Sequence, residues 1–479
     1  MSAGPEAPAK APATPTLKMP HTLVIVGALI LLVLVLSWIV PSGEFQRIEK
    51  VLPDGGRVRV PVDGTFTQLP KTYLGPQHLL LAPIRGFLDG AGLIAFLLVI
   101  GGAFAIFQET GAVEQGIRRL MVHVRRHPWL EALFIPVLMT VFSLAGAVFG
   151  MSEELIPFIV IFIALARALG YDSLVGTAIP FLGAAAGFAC AFFNPFTVGV
   201  AQGIAGVPVY SGLGYRMAAW VVATGTVIAY VMVYAAKVKR NPELSPVRDI
   251  DLAREAPVAA EDAWGPRHAL VLLTFLGTLV LLVYGVLKFQ WYLEAIAALF
   301  LGMGLAVGLL ARLAPSDLAR HFVAGAKDMV GVVFIVACAR ALLVIANEAK
   351  IMDTLLLYGA SAIRVLPHAV TAQVMFLVQC AINFFIHSGT SQAALTMPVM
   401  APLSDLVGIT RQTCVYSFAL CELINPILPT SAVTMGVLGA AKIPWERWAR
   451  WFLPLMLLLV LLAFLLLVPP TLLFHWGPV

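Results

Sequence analysis

Charged residues are scarce in this chain of 479 residues: 12% are Asp, Glu, Lys or Arg, whereas 60% are hydrophobic. Soluble globular domains carry about 25% charged residues, so this composition excludes a soluble protein. The net charge is +5, but this composition leaves no soluble domain that could carry a nucleic-acid-binding patch. The composition therefore predicts an all-α polytopic membrane protein, surrounded by the lipid bilayer and without a nucleic-acid partner.

Cysteines are few, and catalytic motifs are missing. The five cysteines lie in apolar stretches without C-x-x-C spacing, so we interpret them as small packing residues and not as disulfide or metal-binding residues. The sequence has no H-E-x-x-H zinc motif, no Gly-rich P-loop and no pair of intramembrane aspartates. We therefore expect neither an enzyme nor a bound metal or organic cofactor.

Positively charged loops orient the predicted spans. Basic residues cluster at 118–126 and 237–240, and by the positive-inside rule both segments face the cytoplasm. Residues 1–21 are rich in Pro and Ala, which predicts a disordered cytoplasmic tail. The apolar run that follows lacks a small-residue cleavage site. We therefore expect a retained first helix in a multi-pass protein of the bacterial inner membrane.

Apolar segments of about 17–25 residues divide the chain into two similar units joined by a hydrophilic linker and a linker helix. The sequence Pro-Asp-Gly-Gly at 53–56, between alternating segments, predicts a small external β-hairpin. The predicted segments are a first unit at 22–236, with the β-hairpin loop at 41–77 and a re-entrant hairpin at 129–168; a cytoplasmic linker at 237–266; a linker helix at 267–292; and a second unit at 293–479, with a second hairpin at 369–407.

Each unit contains a polar tip that interrupts an apolar stretch, and a proline-broken helix follows about forty residues later. The first tip is Gly150–Glu154, followed by a break at Asn194-Pro195. The second is Ser388–Gln392, followed by Asn425-Pro426. The tip serines, 152 and 391, are separated by 391 − 152 = 239 residues. Because an odd number of crossings separates the two units, we predict two inverted repeats, each with a re-entrant hairpin and a broken transmembrane helix.

The paired tips predict a binding site near the membrane midplane. Polar, non-helical backbone is tolerated there only where it lines a protein-walled cavity. The N-termini of half-helices favour carboxylates, and hydroxyls and carbonyls can ligate substrate or a hard cation. The alternative is a tightly packed helix pair, because Gly and Ser are common at membrane helix interfaces. The predicted substrate-binding residues are Ser152, Glu153, Asn194, Thr197, Ser388, Gly389, Thr390, Ser391, Thr430 and Ser431.

Placing a carboxylate within the membrane costs at least ~2.5–3.5 kcal/mol, so each such residue is expected to have a functional or structural role. Adjacent helical side chains point about 100° apart. We therefore assign Glu153 to the site and Glu154 to a structural hydrogen bond, with capping of the second hairpin arm by both as the alternative. Glu422 lies one turn before Asn425 and suits a coupling role, with a helix-interface hydrogen bond as its alternative. The candidate residues for a coupling ion, Na⁺ or H⁺, are Glu153, Glu154, Glu422 and Asn425.

Arg340 lies in the middle of a predicted span at 330–346. We expect it to form a structural ion pair with a buried glutamate, and direct contact with the substrate is the alternative. His387, just before the second tip, is interpreted as a structural residue.

Three blocks around these residues resemble the YfcC family, within the C4-dicarboxylate anaerobic carrier-like group: Phe149–Phe158, Phe192–Gly199 and Ser391–Pro398. The resemblance extends from Pro20 to the last span. The family is similar to the ion transporter superfamily, which implies inverted repeats, a homodimer and elevator-type movement of a hairpin domain against a scaffold. The chain departs from the family at His387-Ser388-Gly389, where relatives have Pro-Ser-Gly, and around Glu422, where they have Phe-Gly-Asp-Gly.

The sequence as a whole predicts a secondary active transporter of a small carboxylate-bearing metabolite. Relatives in the resembled group include arginine/ornithine antiporters, and the carboxylates of the first tip suit a cationic substrate group. The first expectation is therefore a basic amino acid, moved by exchange or ion coupling. A C4-dicarboxylate is the alternative, and a channel is disfavoured because the polar residues form paired tips instead of a continuous pore.

Overall fold

The computed structural model describes residues 22–51, 57–112, 115–116, 119, 128–253, 265–289, 291, 293–364, 366–474 and 476. The protein is mostly helical (79%). Six helical stretches among the described residues are long and apolar enough to cross a membrane, and one of them, Arg411–Ala441, includes a 3₁₀ turn. The predicted tail at 1–21, the turn at 53–56 and most of the basic segment 118–126 lie outside the described residues.

In the first part of the chain, the predicted hairpin and broken helix are each divided in two. The helices are α1 (Thr22–Ile39), α2 (Gln77–Asp89), α3 (Ala91–Glu109), α4 (Pro128–Phe149), α5 (Ile156–Ala168), α6 (Ser173–Ala189), α7 (Val200–Ala205) and α8 (Leu213–Arg240). A 3₁₀ turn, Glu153–Leu155, separates α4 from α5, and a π-helical turn, Pro195–Gly199, precedes α7.

The second part follows a short linker segment. The helices are α9 (Arg248–Ala253), α10 (Pro266–Phe289), α11 (Leu293–Leu310), α12 (Pro315–Asp328), α13 (Val330–Glu348), α14 (Met352–Arg364), α15 (His368–Asn383), α16 (Gly389–Leu406), α17 (Arg411–Leu420), α18 (Ala432–Ala441) and α19 (Trp445–Val468). Short turns lie at Pro242–Leu244, Cys421–Ile427 and Pro469–Leu473.

Two small antiparallel strand pairs occupy the loop after α1. The strands are β1 (Gly43–Glu44), paired with β4 (Thr67–Gln68), and β2 (Arg47–Val51), paired with β3 (Arg57–Pro61). Asp353, at the start of α14, holds this loop by accepting hydrogen bonds from the Phe45 backbone N–H at 2.9 Å and from the Arg47 guanidinium at 2.8 Å. We refer to the end of the bundle that carries these strands as the strand end.

The opposite end, here the linker end, is tied together by residues 242–253. Asp251 accepts hydrogen bonds from the backbone N–H and hydroxyl of Ser173, and its backbone carbonyl accepts one from Arg167. Asp249 pairs with Arg447 at the start of α19. The first residues of the segment predicted as a linker, 237–240, continue α8 to Arg240.

The helices form two groups. The frame group (α1–α3 and α10–α13) and the hairpin group (α4–α8 and α15–α19) each pack mainly within themselves, and α13 against α18 is a principal contact between them. In the frame group, α2 crosses α13 and α3 crosses α12. A Cβ at Gly86 would overlap the Ala337 carbonyl oxygen, and one at Gly325 would overlap the Gly101 carbonyl oxygen. Glycine therefore permits both crossings.

The Gly86 crossing supplies a stability prediction. Gly86→Ala should lower the free energy of unfolding by about 1–3 kcal/mol, because the new methyl group must displace the backbone of α13. Gly302→Ala, on α11 with nothing within 4 Å of its would-be Cβ, is the matched control and should be neutral or stabilise by up to about 1 kcal/mol. Thermal unfolding in detergent measures both variants, and equal behaviour would contradict the close crossing.

Candidate functional site

The two tips meet at one cavity of about 500 Å³. Its walls come from both tips, from α13 of the frame group and from the start of α18. Seven predicted substrate-binding residues line it: Ser152, Glu153, Ser388, Gly389, Thr390, Ser391 and Thr430. Asn194 and Thr197 are fully buried behind the tips, and Ser431 lines a neighbouring small cavity.

The first tip is shaped by Gly150, whose φ is +72°. A Cβ at Gly150 would lie 2.7 Å from Asn194 Oδ1, so only glycine fits this approach of tip and broken helix without strain. The buried Glu154 carboxylate accepts a hydrogen bond from the Ser152 backbone N–H at 2.8 Å. Glu153 is half-buried and lines the cavity. The two neighbouring carboxylates thus have different surroundings.

The second tip is the N-terminus of α16. The Ser388 hydroxyl accepts a hydrogen bond from the Ser391 backbone N–H at 3.4 Å, which caps the helix. The Thr390 hydroxyl donates to the Phe196 carbonyl oxygen at 2.9 Å. A Cβ at Gly389 would overlap the Thr197 methyl group. The second tip therefore rests on the first broken helix.

The first break is a support for both tips. Asn194 Oδ1 accepts hydrogen bonds from the backbone N–H groups of Phe196 at 2.9 Å and Thr197 at 3.2 Å. These bonds fix the non-helical segment against which Gly150 and Gly389 pack. Asn194 and Thr197 consequently hold the site from behind and do not line the larger cavity.

Arg340 lies in the wall of the same cavity as Glu153. Its guanidinium is 3.6 Å from the carboxylate of Asp89, the last residue of α2. The expected partner, a buried glutamate, is wrong, because the ion pair that Arg340 makes is with Asp89, an aspartate whose side chain is 46% exposed. The reason is that α2 was not predicted as a helix, so its terminal carboxylate was not among the candidate partners.

A second cavity of about 50 Å³ lies beside the first and is large enough for water-sized species. Its polar lining comes from Ser152, His387, Glu422, Asn425, Ser431 and Thr434. The Glu422 carboxylate is 2% exposed and accepts hydrogen bonds from the Asn425 and Asn383 side-chain amides, the latter at 3.5 Å. The Oδ1 atoms of both asparagines have no hydrogen-bond partner among the described residues.

Two glutamines that are not among the predicted site residues extend the polar cluster around Glu422. Gln392 Oε1 accepts a hydrogen bond from Asn383 Nδ2 at 2.8 Å, and Gln392 Nε2 donates to the backbone and side-chain oxygens of Gln379, both at 2.9 Å. The i, i+4 spacing of Gln379 and Asn383 on an apolar helix was the available signal. Glu422 is therefore held by a chain of buried amides inside the second hairpin.

The arrangement can bind a small molecule that carries both a negative and a positive group. A helix N-terminus, hydroxyls and a guanidinium share one cavity with the Glu153 and Glu154 carboxylates, and the Glu422 carboxylate lies in the adjoining small cavity. Among the residues described, no group of three or more His, Cys, Asp or Glu side chains could hold a metal ion.

Comparison with known proteins places the whole chain in one group. The sequence profile described as C4-dicarboxylate anaerobic carrier, DcuC, matches residues 19–471. YfcC of Escherichia coli (strain K12), a proposed basic amino acid antiporter by its name, is 37% identical over 471 residues, which cover 90% of this chain and 92% of YfcC. An uncharacterised protein of Haemophilus influenzae is 26% identical over 484 residues, with coverage of 92% and 94%.

Two solved transporter structures are similar at low sequence identity. The YdaH transporter of Alcanivorax borkumensis is 16% identical with a TM-score of 0.41, and the comparison covers 96% of this chain and 100% of that one. MtrF of Neisseria gonorrhoeae, described as illuminating a class of antimetabolite efflux pumps, is 17% identical with a TM-score of 0.39 and coverage of 96% and 97%.

Proposed function

The chain belongs to the C4-dicarboxylate anaerobic carrier family, and from that premise we propose a secondary active transporter that moves a basic amino acid by exchange or ion coupling. The family match and the similarity to YfcC confirm the resemblance inferred from the tip sequences. The protein is a multi-pass membrane transporter and not an enzyme. The substrate, the coupling and the mechanism of movement are the proposal.

The presence of Glu153 and Arg340 in one cavity carries the substrate assignment. A basic amino acid has a carboxylate and a distant cationic group. The N-terminus of α16, with the Ser391 hydroxyl and Arg340, offers donors for the carboxylate. The Thr390 hydroxyl donates to the Phe196 carbonyl oxygen and holds this N-terminus in place. Glu153 offers a counter-charge for the cationic group. The name of YfcC supports the same substrate class.

A C4-dicarboxylate is the second candidate. The family description and the Arg340 guanidinium favour it, because two carboxylates could share the donors of Arg340 and α16. Glu153 and Glu154 count against it, since two like charges beside a dianion in an enclosed site raise the free energy of the complex.

Glu422 is the proposed coupling group. Among the described residues it makes hydrogen bonds to amides but no ion pair, although it is 2% exposed. A carboxylate buried without a counter-charge binds a proton or a cation. The small cavity, Asn425 Oδ1 and the Ser152 and Ser431 hydroxyls offer oxygens for Na⁺, and protonation of Glu422 would serve H⁺ coupling.

We infer two inverted repeats that permit elevator-type movement of the hairpin group against the frame group. The crossing glycines support the repeat, because Gly86 and Gly325 are separated by 325 − 86 = 239 residues, the same offset as the tip serines. Asp89 and Asp328, the last residues of α2 and α12, are also separated by 328 − 89 = 239 residues. The division into two helix groups supports relative movement.

The orientation and assembly remain proposals from the sequence. We propose that the protein lies in the bacterial inner membrane with the linker end and the N-terminus facing the cytoplasm, and the basic C-terminus of α8, Lys237–Arg240, supports this orientation. We also expect a homodimer. Protease accessibility of the N-terminus in inside-out vesicles and light scattering of the purified protein measure these two properties.

Ligand-dependent thermal stability tests the substrate proposal. A ligand at 100 times its Kd stabilises the native state by about 2.7 kcal/mol. We expect arginine or ornithine to raise the unfolding temperature of the purified transporter, whereas succinate and fumarate should not. Stabilisation by the dicarboxylates alone would overturn the basic amino acid and establish the second candidate.

A further inference from the structure

A third cavity, of about 340 Å³, lies between the frame group and the hairpin group. On the frame side its walls are α3 and α12, including Leu97, Phe104 and Gly325. On the hairpin side they are α5 and the end of α18, including Val160 and Ala164. The cavity therefore follows the interface between the two groups.

This interface cavity extends from the linker end almost to the first tip. It is lined along α5 from Ile156 to Arg167, a length of about 16 Å at the α-helical rise. Ile156 lies directly after Glu153–Leu155, the turn that contributes to the larger site cavity. At the inner end, a Cβ at Gly436 would lie 2.8 Å from Ile156 and 3.2 Å from Leu97. Tight packing thus separates the two spaces.

One ion pair joins the two groups at the linker end of this cavity. Lys442, directly after α18, is 2.7 Å from the carboxylate of Asp328, the last residue of α12. Both residues line the cavity, and both side chains are about half exposed. The ion pair thus bridges the hairpin group and the frame group at the mouth of the cavity.

The backbone at Lys442 is unusual for a lysine. Its φ is +50°, in the left-handed region that glycine adopts at lower cost. Gly206 occupies the same position after α7, with φ +75°. The two positions are 442 − 206 = 236 residues apart, the same spacing as Pro208 and Pro444. A lysine at this position is strained in a backbone conformation that glycine adopts without strain. The ion pair with Asp328 explains why a lysine is present.

We propose that the interface cavity is the passage between the binding site and the linker end, and that the Asp328–Lys442 ion pair holds it closed in this conformation. The passage would admit the transported solute and water. The inference rests on the transporter class and the two helix groups, and it does not depend on the substrate or on the coupling ion. A lipid acyl chain is the competing occupant, because much of the lining is apolar.

Cysteine accessibility tests the passage without any substrate. Ala164→Cys and Val160→Cys place thiols in the cavity, and none of the five native cysteines lines it. A membrane-impermeant anionic thiosulfonate, applied to the linker end in vesicles of known orientation, measures access relative to the unmodified chain. We expect slow labelling of Ala164→Cys that rises about two- to five-fold in Asp328→Asn and in Lys442→Gly, the range that a half-exposed ion pair supports.

The variants distinguish the effect of the ion pair on labelling from the effect of the strained backbone at residue 442. Lys442→Gly relieves the left-handed strain while removing the charge, and Asp328→Asn removes the charge alone. The exchange Asp328→Lys with Lys442→Asp should return labelling to the original rate. Asp317→Asn is the matched control, because Asp317 pairs with Arg320 within α12 and lies outside the cavity lining.

Unchanged labelling in both single variants, or an equal rise in Asp317→Asn, would overturn the closing role of the ion pair. Thiols at 160 and 164 that stay unlabelled in every variant would show a lipid-filled crevice and overturn the passage.

Discussion

Glu153→Gln is expected to weaken the binding of arginine or ornithine on the order of 100-fold. Removing one partner of an enclosed charge pair costs about 2–5 kcal/mol, and 2.8 kcal/mol corresponds to 100-fold. Glutamine keeps the size of the side chain and its hydrogen-bonding oxygen but loses the charge. Since Glu154 is committed to the Ser152 backbone N–H, it should not replace the lost interaction.

Counterflow of labelled arginine into proteoliposomes, measured against arginine concentration, gives the apparent affinity. Glu243→Gln is the control, because Glu243 lies in the exposed linker turn, far along the chain from both tips, and pairs with Arg248. Unaltered arginine affinity in Glu153→Gln would remove Glu153 from the site. Improved succinate affinity in that variant would instead show that the carboxylate repels an anionic substrate.

Glu422→Gln is expected to reduce gradient-driven accumulation of substrate at least about ten-fold, while exchange of internal for external substrate continues. Glutamine cannot gain or lose a proton at neutral pH and offers no net charge to Na⁺, so the coupled step loses its charge change. Asn383 and Asn425 donate to different oxygens of Glu422, so one of these amides can still donate to the glutamine oxygen. The glutamine NH2 can donate to the Oδ1 atom of the other asparagine, which has no partner among the described residues, once that side-chain amide rotates. Folding should therefore survive better than in Glu422→Ala, which leaves these donors without an acceptor.

Uptake under an imposed pH or Na⁺ gradient, compared with exchange in its absence, separates coupling from binding. Glu348→Gln is the matched control, because Glu348 is also a carboxylate of a membrane helix but pairs with Arg85 and lines neither site cavity. If Glu422→Gln retained accumulation at the original level, Glu422 would be a structural residue and the coupling ion would bind elsewhere.

Much of the framework follows from local patterns. Gly150–Glu154 and Ser388–Gln392 interrupt apolar stretches, and the helices divide at these tips and at Asn194 and Asn425. The apolar patterns of the sequence do not predict α2 and α14, each of 13 residues. Both are too short to span a membrane and too mixed in composition to stand out beside the spans. That omission also hid Asp89, the partner of Arg340.

The roles of the predicted site residues divide according to packing. Ser152, Glu153 and the second tip line the larger cavity, whereas Asn194 and Thr197 support it from behind. All of them lie in polar interruptions of apolar stretches. Local sequence could therefore nominate them together but could not separate lining from support.

The amino-acid sequence by itself determined a polytopic membrane protein with two paired tips and two broken helices, because span length, proline and glycine act within one segment of chain. Only the tertiary structure decided which polar groups share a cavity. Arg340 with Asp89, Thr390 with the Phe196 carbonyl and Lys442 with Asp328 meet across 114 to 251 residues. Such contacts depend on how closely helices cross, and glycines such as Gly86 and Gly325 set that approach.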